Sequence, residues 1–423
     1  MKLAIIGSGI AGNVAAYRLQ REHDLTVFEA ANYIGGHTHT HTVEQAGRTY
    51  EVDTGFIVFN DRTYPNFMAL LGELGVASRV SSMSFSVTDE ASGLEYNGTT
   101  LNTLFAQRRN LLRPSFLGMV RDILRFNREA PRLLAEAGDE LSLEEYLARG
   151  RYGRAFIDHY IIPMGAAIWS TDPHSMLSFP ARFFIRFFHH HGMLSINDRP
   201  LWLTIRGGSA RYVERLTAGF RRRIRLNTPV DWVRRQPGGV IIKSRGHEPE
   251  RFDAVIMSCH SDQALALLAD PSPLEREVLG AIPYQVNEAV LHTDTRLLPK
   301  SRLASAAWNY HLAAQDRRRV ALTYNMNILQ GLDAPVPFLV TLNRSEAIDP
   351  ATILRRITYH HPLYGVESVV AQARHRDING PLRTYYCGAW CQNGFHEDGV
   401  VSALAALRHF REDHEQRTVY RTA

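Results

Sequence analysis

The first 36 residues constrain the fold of this 423-residue chain more than any other stretch. Residues 2–6 form a short apolar run that is typical of a buried strand. A G-x-G-x-x-G turn from Gly7 to Gly12 follows at once, and small apolar residues at helical spacing come after it. A second apolar run at residues 25–28 leads directly into Glu29, 22 positions after Gly7. This order of strand, glycine turn, helix, strand and acid predicts a βαβ unit that binds a dinucleotide.

The glycine turn and the acid have separate tasks in such a unit. Glycines permit the tight turn, a close approach of the backbone to the pyrophosphate, and close packing of helix on strand. The helix begins directly after the turn, so its unpaired N–H groups and positive dipole end face the phosphates. An acid about 20 residues further on accepts hydrogen bonds from ribose hydroxyls. The predicted cofactor contacts in this unit are Gly7, Gly9, Ile10, Ala11, Gly12, Glu29 and Ala30.

The residues after Glu29 distinguish between dinucleotides. The stretch from Glu29 and Ala30 to Gly35 and Gly36 resembles the E-A-x-x-x-x-G-G continuation of the flavin-dependent amine oxidase and phytoene desaturase superfamily. In that superfamily the second glycine pair also approaches the dinucleotide, which is FAD. The resemblance therefore implies a non-covalently bound FAD rather than NAD, with Gly35, Gly36 and His37 close to it. Many relatives carry Arg where His37 stands.

Later segments resemble further flavin motifs of the same superfamily. Residues 53–56 resemble the segment that runs beside the flavin, and the glycine pair at 207–208 resembles one that lies near the ring system. Residues 224–230 resemble the strand whose valine backbone clasps the adenine. The resemblance adds four predicted cofactor contacts, which are Gly55, Phe56, Gly207 and Val230.

The C-terminal segment resembles the one that brings a helix N-terminus to the flavin. A strand ends at Gly388, and a helix is predicted to begin after Gly399. Negative charge develops on the flavin when it is reduced, and a positive helix end stabilises that charge. Relatives usually have an acid after the comparable glycine, whereas Ala389 stands here. Gly388, Ala389, Gly399 and Val400 complete the predicted cofactor contacts.

The order of these motifs predicts the fold class and the domains. We expect an α/β protein with a Rossmann-like FAD domain assembled from separated segments, and an α+β substrate domain with an antiparallel sheet and a helical insertion. The FAD domain takes residues 1–100, 201–283 and 376–423. A helical region facing substrate or membrane takes residues 101–200, and the antiparallel sheet takes residues 284–375.

A still closer resemblance covers nearly the whole chain. Residues 35–40, 52–60, 105–112 and 394–399 resemble a bacterial family described as predicted NAD/FAD-binding, amine-oxidase-like proteins. Members of that family are often found with methyltransferases that resemble cyclopropane-fatty-acid synthase. This resemblance implies a lipid or fatty-acyl substrate and an association with a SAM-dependent fatty-acid methyltransferase.

Composition restricts the compartment and the partners. Three cysteines are too few for a disulfide scaffold and indicate a reducing compartment. We expect no signal peptide, because the first residues lead directly into the first predicted strand, and no apolar run reaches the ~18–20 residues that cross a membrane. We therefore expect a cytoplasmic protein, peripheral at the inner face of the membrane if it contacts lipid. The net charge of +5 is small, and the run at 221–223 is interpreted as a solvated helix end, so no nucleic-acid partner is predicted.

Two stretches of the helical region leave alternatives open. In residues 108–128, six arginines alternate with apolar residues. Leu112, Phe116, Val120 and Ile123 are predicted on one helical face, with Arg121, Arg125 and Arg128 on another. Such a helix either lies on an anionic membrane or covers the core with a solvated basic back. The five phenylalanines between residues 179 and 188 are either core or the lining of a tunnel for a long apolar substrate.

Histidine patterns give the candidate catalytic groups. His37, His39 and His41 alternate and would share a strand face, but no nearby carboxylate or cysteine completes a metal site, and no metal is predicted. The His360-His361 pair is interpreted as part of a structural turn. The candidate acid–base groups nearest the flavin are His37, His396 and Glu397.

Three functions remain open at the level of sequence. The first is an FAD-dependent oxidoreductase that dehydrogenates or desaturates a lipid acyl chain by hydride transfer to flavin N5. The second is a flavin amine oxidase that acts on a small amine, although none of the three lysines (Lys2, Lys243 and Lys300) falls in a flavin motif. The third is a non-redox flavin-dependent isomerase or a partner subunit.

Overall fold

The computed structural model of the protein describes residues 1–135, 141–195, 197–314 and 320–422. Its first sheet is parallel throughout. In spatial order its five strands are Ile224–Arg225, Asp24–Phe28, Lys2–Ile6, Ala254–Met257 and Thr384–Tyr386. Because these strands come from distant parts of the chain, the predicted assembly of the nucleotide-binding fold from separated segments is confirmed.

The central strand is apolar because both of its faces are covered. Leu3 and Ile5 pack in a cluster with the helices Ile10–Leu19 and His396–Thr422. The alternate residues of the strand pack against a three-stranded antiparallel sheet. Its strands are Val230–Gln236, Gly239–Ser244 and Glu250–Phe252. A strand with helices on one side and a sheet on the other has no solvated face, which explains its continuous apolar run.

A second large sheet has seven strands and is antiparallel except for one parallel pair. Its order is Ile353–Pro362, Tyr284–His292, Leu339–Leu342, Leu322–Asn325, Trp308–Leu312, Phe85–Asp89 and Leu94–Asn97. The hairpin at residues 85–97, which the sequence placed with the first segment, joins this sheet through the parallel pair. Residues 315–319 of the predicted sheet region lie outside the described residues.

Short strands and helices connect the two large sheets. Thr40–Gln45 pairs with Arg48–Asp53, and Trp202–Ile205 lies between Phe59–Asn60 and Ser78–Val80. The other helices outside the insertion are Pro65–Leu74, Ala210–Thr217, Ser261–Leu267, Pro273–Gly280, Met326–Leu329, Val366–Ala373 and His375–Ile378. The helix predicted at residues 66–74 ends at Gly75 in the left-handed region, as the glycine indicates.

The predicted helical region, residues 101–200, is mostly helical where it is described. Its α-helices are Leu101–Leu104, Pro114–Glu129, Leu143–Arg149, Arg154–Phe156, Ile162–Trp169, Pro173–Leu177 and Ala181–His190. Residues 136–140 and 196, which fall within the predicted helical region, lie outside the described residues. In the parts that the structure describes, no helix is both long enough and apolar enough to cross a membrane. The domain boundaries proposed from the sequence stay predictions.

Two details of the predicted helices are wrong. Leu112 precedes the helix that Pro114 begins and is 87% exposed, so it does not belong to the core-facing side of that helix. Phe116 is buried and Val120 and Ile123 pack against the same core, as predicted, and Met119, Asp122 and Phe126 complete the buried face. The C-terminal helix begins at His396, before Gly399 rather than after it.

Candidate functional site

The turn between the first strand and the first helix has room only for glycine at two positions. Gly7 has a φ of +103°, and a Cβ there would lie 2.9 Å from the carbonyl oxygen of Ser258. A Cβ on Gly12 would collide with the carbonyl oxygen of Gly7. At Gly9, by contrast, no described atom outside the turn lies within 4 Å of a Cβ position. The helix therefore packs closely on the turn, while the backbone at Gly9 borders open space suited to a pyrophosphate.

The second glycine pair folds back over this turn. The N–H of Gly35 donates to the carbonyl oxygen of Ser8 at 3.0 Å. Gly36 has a φ of +60°, and a Cβ there would lie 3.2 Å from the Cα of Gly9. The two glycine motifs, which are more than 20 positions apart in sequence, thus form the two sides of one cradle.

Glu29 accepts several hydrogen bonds at the edge of that cradle. Its carboxylate accepts hydrogen bonds from the N–H and Oγ of Ser8, at 2.9 and 2.6 Å, and from the N–H of Ala31 at 2.8 Å. Its carbonyl oxygen accepts from the N–H of Thr228 at 2.8 Å, two residues before Val230. The structure therefore brings Glu29 and Val230 to one place, and their contacts with ribose and adenine stay predictions.

His37, which follows the second glycine pair, lies among rings from distant parts of the chain. Its ring stacks on Tyr359 at 5.0 Å and lies 5.4 Å from His361 and 6.3 Å from His260, between ring centroids. Burial lowers the pKa of His37 and His260 to about 4 and that of His361 to about 3. All three imidazoles are therefore neutral at pH 7, and each has one donor and one acceptor nitrogen.

The alternating histidines divide into two groups. His39 and His41 have ring centroids 4.1 Å apart, and His39 stacks on Tyr33 at 4.0 Å. His37 packs instead on Tyr359. Within the described ranges, no three or more His, Cys, Asp and Glu side chains are grouped so that they could hold a metal ion.

The groups around the cradle fit FAD. Nε2 of His37 and Nδ1 of His260 are buried, and neither has a hydrogen-bond partner in the described structure. Neutral ring nitrogens without partners suit the hydroxyl, carbonyl and phosphate oxygens of a dinucleotide, because buried polar atoms normally have partners. Gly9 and Gly36 leave the backbone approachable beside them. The residues present therefore suit the predicted cofactor.

Hydrogen bonds of Asp53 connect the segment at residues 53–56 with the turn that contains the glycine pair at 207–208. It is buried and accepts hydrogen bonds from Thr40 Oγ1 at 2.6 Å, from the N–H of Ser209 at 2.9 Å and from Gln330 Nε2 at 2.9 Å. Burial raises its pKa to about 6. Gly208 has a φ of +92°, and a Cβ there would lie 2.7 Å from Thr40 Cγ2, so close packing requires glycine.

His396 is held inside the protein by three partners. Its Nε2 lies 2.9 Å from Thr38 Oγ1 and 3.0 Å from the hydroxyl of Tyr212. Its ring stacks on Phe56 with centroids 3.5 Å apart. Burial lowers its pKa well below the usual value, so the ring is neutral. These contacts position Phe56, a predicted flavin neighbour, and a catalytic role for His396 stays a prediction.

Glu397 and Asp398, in the first turn of the C-terminal helix, act as helix caps. Glu397 accepts hydrogen bonds from the N–H groups of Asn66 and Phe67, at 3.0 and 2.9 Å, and so caps the helix Pro65–Leu74. Asp398 accepts from the N–H of Phe395 at 2.8 Å, at the start of its own helix. Since both Glu397 oxygens have backbone partners, these bonds give no support to its predicted role in proton transfer, which stays untested.

The C-terminal motif lies against the first glycine turn. The N–H of Gly388 donates to Ser402 Oγ at 3.0 Å, and Ala389 begins a short 3₁₀ turn. A Cβ on Gly399 would lie 2.6 Å from Ile10 Cγ2, so this glycine permits close contact of the two helices. Val400 is buried in the same cluster as Ile10. The predicted contacts from both ends of the chain therefore converge, with the N-termini of two helices near each other.

Aromatic side chains of the helical region pack on the segment before the C-terminal helix. Phe187 stacks on Phe395 at 5.0 Å and lies 4.8 Å from Trp169, and Phe183 lies 5.2 Å from Tyr364. We call this set, Trp169, Phe183, Phe187, Tyr364 and Phe395, the aromatic wall. All except Phe395 are buried, and all pack in or against the largest core cluster.

The sequence missed several residues of the site. Tyr359 and His361 lie on a ten-residue strand, not in a turn as predicted. Tyr284 stacks on His260 at 4.4 Å. Their local sequences contain no cofactor motif, and only the pairing of Tyr284–His292 with Ile353–Pro362 brings them to His37. The one feature of the sequence that could have indicated these site residues is the pair of adjacent histidines at 360–361.

Comparisons with known proteins agree with this geometry. The profile of the family described as flavin containing amine oxidoreductase matches residues 10–319. The flavin-dependent L-tryptophan oxidase RebO of Lentzea aerocolonigenes is 26% identical over 92 residues, which are 22% of this chain and 19% of that protein. Cyclohexylamine oxidase from Brevibacterium oxydans IH-35A is 16% identical with a TM-score of 0.68, covering 97% of this chain and 99% of the other. The CLA-producing fatty acid isomerase from P. acnes is 16% identical with a TM-score of 0.65, covering 96% and 98%.

Proposed function

The chain belongs to the family of flavin-containing amine oxidoreductases, and from this premise we propose that it is an FAD-dependent enzyme that dehydrogenates the acyl chain of a lipid. The observation that carries the proposal is the aromatic wall beside the start of the C-terminal helix. An uncharged hydrocarbon gains free energy from contact with such rings, at roughly 25 cal/mol per Å² of apolar surface removed from water.

The charges around the site also favour an uncharged substrate. Burial lowers the pKa of His37, and of His191, which stacks on Phe187 at 3.8 Å, to about 4. Both rings are neutral at pH 7, so they neither attract nor repel a charged group strongly. The Lys2 ammonium lies over the ring of Phe252 and near Glu250, and Lys243 Nζ donates to the carbonyl oxygen of His247. The backbone N–H of Lys300 donates to Glu95, and none of these partners belongs to the cradle.

The fold accommodates both kinds of substrate in other proteins. One protein of similar fold is named a fatty acid isomerase, and another is named for oxidising cyclohexylamine. A small amine is therefore the second candidate, because aromatic rings also bind cations. The resemblance to a family found with fatty-acid methyltransferases favours a lipid, with a methylated or cyclopropanated chain as the proposed substrate.

Dehydrogenation removes a hydride and a proton from adjacent carbons and leaves a double bond between them. FAD, when bound, supplies the acceptor for the hydride, and the two electrons leave the enzyme to dioxygen or a quinone. His37 has a buried Nε2 without a partner among the described residues, so the neutral ring can take up the proton. On this proposal the acyl chain lies against the aromatic wall, whose rings keep water away from it.

Anaerobic reduction of the flavin tests this proposal. We expect purified holoprotein to bleach on addition of phospholipids extracted from cells that contain the partner methyltransferase, with mass spectrometry showing loss of two hydrogens from an acyl chain. Bleaching by small amines but not by lipids would establish amine oxidation and refute the proposal. A lipid product of unchanged mass would identify an isomerase instead.

A further inference from the structure

We propose that the helix Pro114–Glu129, with the turn before it, docks on the surface of a bilayer that contains anionic phospholipids. The docking surface consists of Leu112, Leu117, Arg121, Leu124 and Arg128, and we call it the leucine–arginine face. It lies outside the FAD cradle, and the inference does not rest on the identity of the substrate.

The exposed side of the helix is opposite to its packed side. Leu117, Arg121, Leu124 and Arg128 follow one another at i, i+4, i+7 and i+11, so they lie along one face. All four are exposed, whereas the opposite side is buried in the core through Phe116, Met119 and Phe126. The helix is thus already anchored, and its leucines are not needed for that packing.

Exposed leucines are concentrated in this part of the chain. Of the twelve large hydrophobic side chains that are exposed among the described residues, five fall within residues 101–124. They are Leu101, Leu111, Leu112, Leu117 and Leu124, and Leu112 is 87% exposed. A cluster of exposed apolar side chains marks a surface that meets an apolar partner, since it lowers solubility without contributing to the core.

The charges of this part of the chain are mainly positive. Residues 101–135 contain seven arginines and two carboxylates, an excess equal to the net charge of the whole chain. Asp122 is buried, accepts from the N–H of Gly153 and lies 3.9 Å from Arg121, and Glu129 lies 3.1 Å from Arg128, so the two carboxylates offset only part of the positive charge. Arg121 is 81% exposed in its side chain. Arginines attract anionic headgroups while leucines beside them enter the headgroup region, a combination that favours a bilayer over a nucleic acid.

Flotation with lipid vesicles tests the inference. The holoprotein is mixed with vesicles of phosphatidylcholine, with or without phosphatidylglycerol, at low and high salt. We expect binding to the anionic vesicles only, weakened by salt. The variant R121Q/R128Q is expected to bind about 10- to 30-fold more weakly, because each arginine near an anionic surface contributes a few-fold. L117S/L124S is expected to lose binding similarly.

Matched controls separate this surface from general effects. R221Q/R222Q removes two exposed arginines from another turn, and V366S/V370S removes two exposed apolar residues from one face of another helix. Both are expected to bind vesicles as the parent does, and all variants to retain FAD. The inference is overturned if the parent does not bind anionic vesicles, or if the controls weaken binding as much as the surface variants. It is also overturned if only the arginine variant loses binding, with RNA competing equally, since that indicates a nucleic-acid surface.

Discussion

Replacing Glu397 distinguishes a helix cap from a catalytic acid. Its carboxylate accepts two backbone hydrogen bonds, from Asn66 and Phe67, and a third from Asn66 Nδ2 at 2.6 Å. The side chain is 8% exposed, so water cannot easily replace it. Glu397→Ala would leave three donors without an acceptor, whereas Glu397→Gln keeps one oxygen for them.

The magnitude follows from these three bonds. An unsatisfied buried donor costs about 1–3 kcal/mol, so the loss of three acceptor contacts in Glu397→Ala is expected to lower the free energy of unfolding by about 3–9 kcal/mol. With an unfolding entropy of about 2.1 cal/mol/K per residue, the 423 residues give roughly 0.9 kcal/mol/K. The expected fall in Tm is therefore about 3–10 °C for Ala. For Gln, which leaves one of the three donors without an acceptor, it is about 1–3 °C.

Calorimetry and single-turnover flavin reduction measure the two roles separately. If Glu397 is a cap, Glu397→Gln lowers Tm but keeps the rate of flavin reduction within a few-fold. Glu412→Gln, an exposed carboxylate on the same helix paired with Arg376 at 3.7 Å, is the control and is expected to change neither. A large loss of rate in Glu397→Gln with an unchanged Tm would show that the carboxylate acts on the substrate and would refute the capping argument.

Three further predictions concern the cradle and its surroundings. Gly12→Ala is expected to remove most of the bound FAD, because its Cβ would collide with the turn at a cost of about 1–3 kcal/mol. The control Gly118→Ala, which has no described atom near its Cβ, is expected to keep the full flavin absorbance per protein. The pKa of Asp53 is raised from 3.8 to about 6, so the folded state keeps this proton where the unfolded state has lost it. As the pH rises from about 4 to 6, the free energy of unfolding should therefore fall by up to about 3 kcal/mol more in the parent than in Asp53→Asn. The same dependence of the unfolding free energy on pH in both proteins, measured by urea unfolding, would contradict this. With the pKa of His37 lowered to about 4, His37→Gln should leave the kcat/KM profile unchanged in shape between about pH 5 and 8, and a transition present only in the parent would contradict it.

The nucleotide-binding half of the fold was predictable because its signals are local. The glycine turn, the helix after it and Glu29 fall within one stretch of 30 residues, and each has a backbone requirement that the residue types reveal. The helix that ends at Gly75 was predictable for the same reason. The family resemblance supplied FAD, which no spacing alone distinguishes from NAD.

The substrate side was not predictable because its contacts depend on long-range pairing. His37 meets Tyr359 only because Tyr284–His292 pairs with Ile353–Pro362 in a register that no local pattern specifies. Leu112 was wrongly assigned to the buried face of the helix from Pro114, because its spacing continues the periodicity of Phe116, Val120 and Ile123 across the proline. Exposed leucines and buried ones look alike until tertiary packing is known.

His37 stands where many relatives carry arginine, and this difference changes the charge of the site. An arginine keeps its charge at any pH, whereas burial leaves His37 neutral. The positive potential that remains along the cradle then comes mainly from the N-termini of the helices Ile10–Leu19 and His396–Thr422. That potential is directed at the cofactor and decays within a helical turn, so it does not contribute to the binding of a charged substrate further from the helix ends. The proposed acyl chain would therefore bind through apolar contact with the aromatic wall. On that proposal His37→Arg, by adding a fixed charge, is expected to weaken the binding of the acyl chain more than it weakens the binding of FAD.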